Sequence, residues 1–349
     1  MNAPLPVFQR TSPKIVYVRI LEACNAGCRM CPFANSSDPF RLAVERVRTL
    51  AVQLAALGGE EVRFTGGEPT LHEGLLEAVA EVRAAGLRVS LITNGSRLAE
   101  MAAPLLDAGL SALTCSLDSP RPEIHDGLRR TPGLFAAAIA GLETLAAERA
   151  RRARSLPITV NTIVSAETFR DIHEFVPLLD RIGVDFWTLI PIKDKKSLYL
   201  TADEAHEFSA SVVPRIEARL ERARVRLNAV SPHVFGTSDA ARVASAGGRL
   251  PTHTRCFVPD VVGYIDARRG LLTACNCLPH RRGRPLSLEG VWDRPFGESW
   301  NEPGFAGERA AFASVASQVC TGCEPGNVRF NRDADLALSA AGWPDAQWL

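Results

Sequence analysis

The chain lacks any run approaching the roughly 18 apolar residues of a membrane-spanning helix, and it has no low-complexity segment or internal sequence repeat. These absences exclude a helical membrane anchor, a disordered scaffold and a solenoid array from the expectations. An excess of one charge is missing too. Forty Lys and Arg stand against 39 Asp and Glu, a net charge of +1, so no basic footprint for nucleic acid or an anionic membrane is expected. The arginine-rich run 149–154 reads as an exposed helix end rather than a nucleic-acid patch. Residues 1–14 contain no apolar signal-peptide core. Nine cysteines, grouped at short spacings in a chain of 349 residues, point to metal ligation in a reducing cytoplasm rather than to disulfides. A chain of this length can bury one large core, or a core and a small second domain.

What is present is alternation. Runs rich in β-branched residues at 16–21, 61–65, 88–93, 112–117, 158–164 and 185–190 read as six strands. Between and after them, 41–57, 71–85, 98–108, 133–150, 169–182 and 202–224 read as helices from their near-3.6 apolar spacing. Thr201 and Glu204 stand at capping-box spacing before the last of these. Six strands each followed by a helix predict an α/β fold with a parallel sheet, whose ligands bind at the carboxyl ends of the strands. After about residue 224 the long helices stop, and glycine, proline and cysteine become frequent. Residues 225–230 could form one more strand, and the domain boundary is placed there, giving 1–228 and 229–349.

Cys24, Cys28 and Cys31 lie in one short loop directly after the first strand. Three thiols so close can reach one metal centre, yet a cubane iron–sulfur cluster has four irons to ligate. One iron is then left open for a small molecule. The alternatives are a zinc site or buried apolar cysteines. Further short motifs end the later strands. Thr65-Gly66-Gly67-Glu68-Pro69 follows the second, and its glycines allow close backbone approach to a ligand with exposed N–H groups beside the Glu68 carboxylate. Thr93-Asn94-Gly95 follows the third, although Asn-Gly is also a good turn in its own right. Ser116 ends the fourth, with Arg129 downstream as either a carboxylate-binding fork or a helix cap. Asn161 on the fifth either meets a ligand or makes a cross-strand hydrogen bond. Lys193, just past the sixth, either contacts substrate or is solvated.

The triplet and the Gly66–Pro69 segment together resemble the signature of the radical S-adenosylmethionine (SAM) superfamily, with Met30 where many members carry an aromatic residue. The resemblance implies a partial (β/α)6 barrel. It also implies a [4Fe–4S] cluster on Cys24, Cys28 and Cys31 whose open iron chelates SAM. SAM contacts are expected from Gly66, Gly67, Glu68, Thr93, Asn94, Ser116, Arg129 and Asn161. The electron donor would be a flavodoxin or ferredoxin with its reductase.

A second set, Cys256, Cys275, Cys320 and Cys323, brackets an expected hairpin at 261–274 and a helical stretch containing Trp292, Trp300, Phe305 and Arg309. It resembles the twitch domain, the shortened relative of the SPASM domain, which implies one auxiliary [4Fe–4S] cluster; a structural zinc is the alternative. Two cysteines are left over. Cys115 is expected in the core. Cys277 is buried, an alternate ligand, or a hydrogen-atom donor at the edge of the active site. The function implied is hydrogen abstraction from a small polyol, such as a sugar, a sugar-acid nucleoside or an aminocyclitol, leading to decarboxylation or dehydrogenation. Cytosylglucuronate decarboxylases are of this type. Epimerisation with Cys277 as donor, maturation of a ribosomal peptide, and a non-catalytic metal-binding module are the other readings. Too few residues precede the first strand for a winged-helix peptide-recognition domain, which favours a small-molecule substrate.

Overall fold

Buried and half-buried residues alternate along the whole of β5 (Ile158–Val164), the period-two pattern of a strand with two different faces. The same alternation runs through β1 (Ile15–Leu21) and β4 (Ala112–Ser116). Between these lie β2 (Glu61–Gly66) and β3 (Arg88–Thr93), and β6 (Phe186–Pro191) follows. One face of this sheet is sealed by helices. Val18, Phe64, Leu91, Leu113, Val160 and Trp187 share a single core with Leu54 of α1 (Val44–Ala56), Val79 of α2 (Leu75–Ala84) and Leu105 of α3 (Leu98–Asp107). Leu142 of α5 (Leu134–Arg151) and Leu179 of α6 (Phe175–Ile182) complete it. The other face is half-buried and mostly polar.

The computed structural model describes residues 12–192, 195–227, 258–275 and 287–319. Beyond the six expected strands, β7 (Arg226–Leu227), β8 (Val262–Asp266), β9 (Leu271–Thr273) and β10 (Ser287–Leu288) join the same sheet. Its order is β10-β9-β8-β1-β2-β3-β4-β5-β6-β7. Pairing is parallel from β8 to β7 and antiparallel only within β8–β9–β10. The sheet does not close on itself, so the fold is a partial α/β barrel. Among the described residues, no helix is long and apolar enough to cross a membrane.

Several elements differ from expectation for local reasons. The helix expected at 71–85 begins as a single 3-10 turn, Pro69–Leu71, before α2. The one expected at 169–182 likewise starts late, after the turn Ile172–Glu174. The helix expected at 202–224 is α7 (Ala202–Glu207) and α8 (Val213–Leu220) joined through a π-turn at Phe208–Val212. Pro214 has no N–H for the ladder, so the bulge falls just ahead of it. The Thr201–Glu204 capping box is present in both directions. Two helices were not foreseen: the single turn Val258–Val261 and α4 (Pro122–Arg129), which is short, polar and started by proline at its first position.

The hairpin β8–β9 forms where expected, but its neighbour was not foreseen. β8 lies parallel beside β1, with Ile15 opposite Val262 and Arg19 opposite Asp266. Tyr17 and Tyr264 stack at 4.5 Å between ring centroids. Ile265, Leu272, Phe296 and Trp300 belong to the same core as the first six strands. The expected boundary at 228/229 falls outside the described residues.

The end of β2 is pressed against the end of β1. The Gly67 N–H donates to the Leu21 carbonyl and the Glu68 N–H to the Ala23 carbonyl, both at 2.8 Å. A Cβ on Gly67 would sit 2.0 Å from the Ala23 carbonyl oxygen, and one on Gly66, at φ +136°, would sit 2.2 Å from that of Leu21. Gly67→Ala is therefore expected to cost more than about 2 kcal/mol. Gly127→Ala, whose Cβ would meet nothing within 4 Å, should be neutral or slightly stabilising in its helix. Urea unfolding of the two variants checks the contrast.

Candidate active site

Residues 22–41 leave β1 as a loop and return to it, where Leu21 bridges Arg41 and the Leu42 N–H donates to the Ile20 carbonyl. Inside the loop, the Cys24 N–H donates to the Ser36 carbonyl and the Asn35 N–H to the Ala26 carbonyl, each at 2.9 Å. Two of the sulfurs already receive backbone donors: Ala26 N–H reaches Cys24 Sγ and Phe33 N–H reaches Cys31 Sγ, both at 3.4 Å. Such bonds favour a thiolate, free or metal-bound. From above, α4 and the turn after it pin the loop. Arg29 N–H donates to the Leu128 carbonyl at 3.0 Å, and Gly27 N–H to Thr131 Oγ1 at 3.3 Å. The Arg29 guanidinium grips both Glu167 oxygens at 2.7 and 2.8 Å.

All three cysteines therefore stand at the carboxyl ends of the parallel strands. Burial pushes the Cys28 thiol up to about 11, with the Arg129 cation opposing. Burial also raises Cys24, against the Ala26 N–H. Among the described residues, no three His, Cys, Asp or Glu side chains are drawn tightly enough together to hold a single metal ion. In a cubane each thiolate takes a different iron, so its three ligands need not converge on one ion.

Glu68 is almost wholly buried, with 1% of its surface exposed. One of its oxygens accepts from Thr70 N–H, Thr70 Oγ1 and Thr93 Oγ1 at 3.0, 2.6 and 2.7 Å. The other accepts from the Asn94 N–H at 2.7 Å. The Asn94 amide then donates to Asn25 in the cysteine loop at 2.9 Å. Asn94 is thus tied to the cysteine loop, and Thr93 to it through Glu68. The expected exposure of the glycine N–H groups is not found at Gly67, because its close approach is to the chain itself.

Arg129 caps no helix from the surface. It is buried, and its Nε donates to Asp118 Oδ2 at 2.8 Å. Asp118 Oδ1 accepts the Ile163 N–H, and the Asp118 N–H donates to His125 Nδ1, both at 3.1 Å. His125 is fully buried, edge-on to Phe135, and its Nε2 has no hydrogen-bond partner. Burial first, then the Arg129 cation, push its pKa down to about 4. The sequence singled out Arg129 but missed Asp118, Thr70, Asn25 and Thr131 as the groups that position this edge. Only their places at strand ends or in the loop could have flagged them.

Ser116 and Asn161 are register partners on adjacent strands. Both are half-buried on the face not covered by helices, and neither side chain bonds to another described residue. The cross-strand hydrogen bond considered for Asn161 is thus not made. Cys115 is fully buried in the core, as expected, and burial pushes its thiol up to about 12. Cys275 is buried just past β9. Because β9 runs back from Asp266 towards Tyr264, Cys275 follows the strand end away from the cysteine loop. Lys193, Cys256, Cys277, Cys320 and Cys323 lie outside the described residues.

An unclosed parallel sheet that presents a three-cysteine loop at its ligand-binding edge defines a cofactor-dependent α/β-barrel enzyme. Residues 18–178 match the family model of the radical SAM superfamily. The chain is 30% identical over 263 residues to the GTP 3',8-cyclase of Marinobacter nauticus, covering 67% of this chain and 78% of that protein. It is 28% identical over 315 residues to the AdoMet-dependent heme synthase of Methanosarcina barkeri, covering 83% and 82%. The match to the heme synthase of Oleidesulfovibrio alaskensis spans 51% of that protein. The chain belongs to the radical SAM superfamily, whose cofactors are SAM and a [4Fe–4S] cluster. In fold it is similar to Streptococcus suis SuiB bound to S-adenosylmethionine, with a TM-score of 0.65 at 13% identity over 90% of this chain and 73% of that one.

Two outcomes follow from the buried pair. Asp118→Ala leaves the Arg129 cation without its partner and should cost about 3–5 kcal/mol, whereas the double variant with Arg129→Met should lose less; urea unfolding reads both. His125 binds its proton more weakly folded than unfolded, so its contribution is complete above its unfolded pKa near 6.5. It is lost as pH falls through about 4, and amounts to about 3 kcal/mol. His125→Gln should flatten that part of the acid limb in a pH series of unfolding midpoints.

Proposed function

We propose that this chain cleaves SAM reductively at a [4Fe–4S] cluster held by Cys24, Cys28 and Cys31, and removes a hydrogen atom from a small polyol. The observation that carries this is the loop itself: three thiols at the ligand edge of the sheet, two of them already given N–H donors. The cluster and SAM together supply a 5′-deoxyadenosyl radical able to attack unactivated carbon. The chain's part is to bind and orient. Glu68 fixes the ends of β2 and β3 so that Gly66, Gly67, Thr93 and Asn94 form one wall of the SAM pocket. Ser116 and Asn161 offer neutral hydrogen-bonding groups to the SAM ribose. Arg129, anchored through Nε, has no other described partner for its terminal nitrogens and offers them to the SAM carboxylate.

A carbinol carbon that has lost its hydrogen atom becomes a ketone by releasing one electron and one proton. Where the neighbouring carbon carries a carboxylate, that ketone loses carbon dioxide to leave an enolate, which takes up a proton. Return of the electron with a proton, and of a hydrogen atom from 5′-deoxyadenosine, then restores the carbinol. An auxiliary [4Fe–4S] cluster, which Cys256, Cys275, Cys320 and Cys323 would hold, would accept that electron, and a flavodoxin or ferredoxin would be the initial reductant. A second reading has one observation behind it. Alignment over most of the length of a heme synthase supports a tetrapyrrole substrate.

Dithionite and SAM should release 5′-deoxyadenosine from the wild type, and not from Cys24→Ala, Cys28→Ala or Cys31→Ala. Anaerobic reconstitution should yield about eight irons per chain for two cubanes; about four irons with one zinc would overturn the auxiliary cluster. Deuterium transfer from ring-deuterated sugars or from porphyrins into 5′-deoxyadenosine separates the two substrate readings.

A further inference from the structure

The half-buried face of the sheet is in phase from strand to strand. Tyr17 lies between Tyr264 and Arg63, and Arg19 between Asp266 and Thr65. Thr114 lies between Ile92 and Thr159. Ser116 and Asn161 sit two residues nearer the mouth than Thr114 and Thr159, a step of about 7 Å along the strands.

Two kinds of side chain line this face. The charged ones already have partners. Arg19 donates to both Glu22 oxygens at 2.9 Å and to Asp266 at 3.1 Å. Arg63 donates to Glu61 at 2.8 Å, to Ser90 at 2.8 Å and to Tyr17 at 2.9 Å. Arg88, at the start of β3, pairs with Glu61 as well, so three carboxylates accompany three guanidinium groups. Tyr17 and Ser90 share in those bonds, but three neutral side chains do not: Thr65, Thr114 and Thr159 bond to no described residue.

We infer that Thr65, Thr114 and Thr159 form the substrate-facing floor one step below the SAM level, and that this floor selects an uncharged, hydroxyl-bearing ligand over its phosphorylated or carboxylated counterpart. The inference rests on the reading of the chain as a SAM-cleaving enzyme acting on a polyol, and it narrows that reading. A threonine hydroxyl both donates and accepts, so unpaired threonines can match a polyol at either end of each hydrogen bond. An anion would need a cation free to meet it. Among the described residues of this face, the cations come with carboxylates that repel an added negative charge, a built-in penalty against the wrong ligand.

The test uses the full chain with its cluster reconstituted and SAM bound, without reductant, so that binding is read independently of turnover. The probes are matched pairs: cytidine with cytidine 5′-monophosphate, myo-inositol with its 1-phosphate, and methyl glucoside with methyl glucuronide. In equilibrium dialysis, the uncharged member of at least one pair should bind at least about tenfold more tightly than its partner. Thr114→Val and Thr159→Val should each weaken that binding by about three- to tenfold, with recovery in Thr114→Ser. Thr144→Val, on the exposed side of α5, serves as the control and should change nothing. Tighter or equal binding of the charged members, binding by no uncharged member, or valine variants as good as wild type would each overturn the inference. Failure of the SAM-cleavage reading is a separate result, namely no 5′-deoxyadenosine from cluster-loaded protein under dithionite.

Discussion

A single carboxylate holds the ligand edge together. Glu68 takes donors from the turn after β2 and from both residues that end β3, while its own N–H reaches back to Ala23 beyond the end of β1. Three strand ends that belong to different βα units are thereby fixed to one another. The arrangement requires the backbones at Gly66 and Gly67 to lie against residues 21–23, and no side chain fits between them. What looks in the sequence like a turn shaped for a ligand is first a clamp between two strands. Its geometry determines where the cysteine loop begins.

Electrostatics follows the same economy. Among the described residues, several cations at the mouth are matched within the protein: Arg129 with Asp118, Arg29 with Glu167, Arg19 with Glu22 and Asp266; lower on the sheet face, Arg63 meets Glu61. Charged groups placed in this way set a fixed local field without inviting bulk anions. Next to Cys28 the Arg129 cation opposes the effect of burial on the thiol, and Asp118 acts against that cation. The ring of His125 remains neutral behind it. A redox centre held here would sit among oriented dipoles rather than mobile counter-ions.

Much of this was legible in the sequence because it is local. β3 and β5 fall on the expected residues, and the Thr201–Glu204 cap forms as its spacing demands. The cysteine triplet and the residues at strand ends were equally visible, since a parallel sheet presents all its strand ends on one side. Three features were hidden. α4 is too short and polar for periodicity to reveal. A residue type at a strand end does not show whether its hydrogen bonds are already used, so Gly67 and Asn161 were read alike, although one is committed to the chain and the other is not. The neighbour of β1 was also invisible, because pairing across most of the chain leaves no local pattern.

That last pairing bears on the order of events during synthesis. β1 carries the cysteine loop, yet one of its edges is covered by β8, and the Arg19–Asp266 contact joins residues 247 positions apart. A second ion pair, between Asp38 and Arg268, ties the loop itself to the turn of the late hairpin. Until the last third of the chain leaves the ribosome, the strand that carries the cysteine loop has an open edge and the loop lacks one of its restraints. Contacts of such long range form late and slowly. The cysteine loop at the start of the chain thus gains its last restraints only with the finished polypeptide.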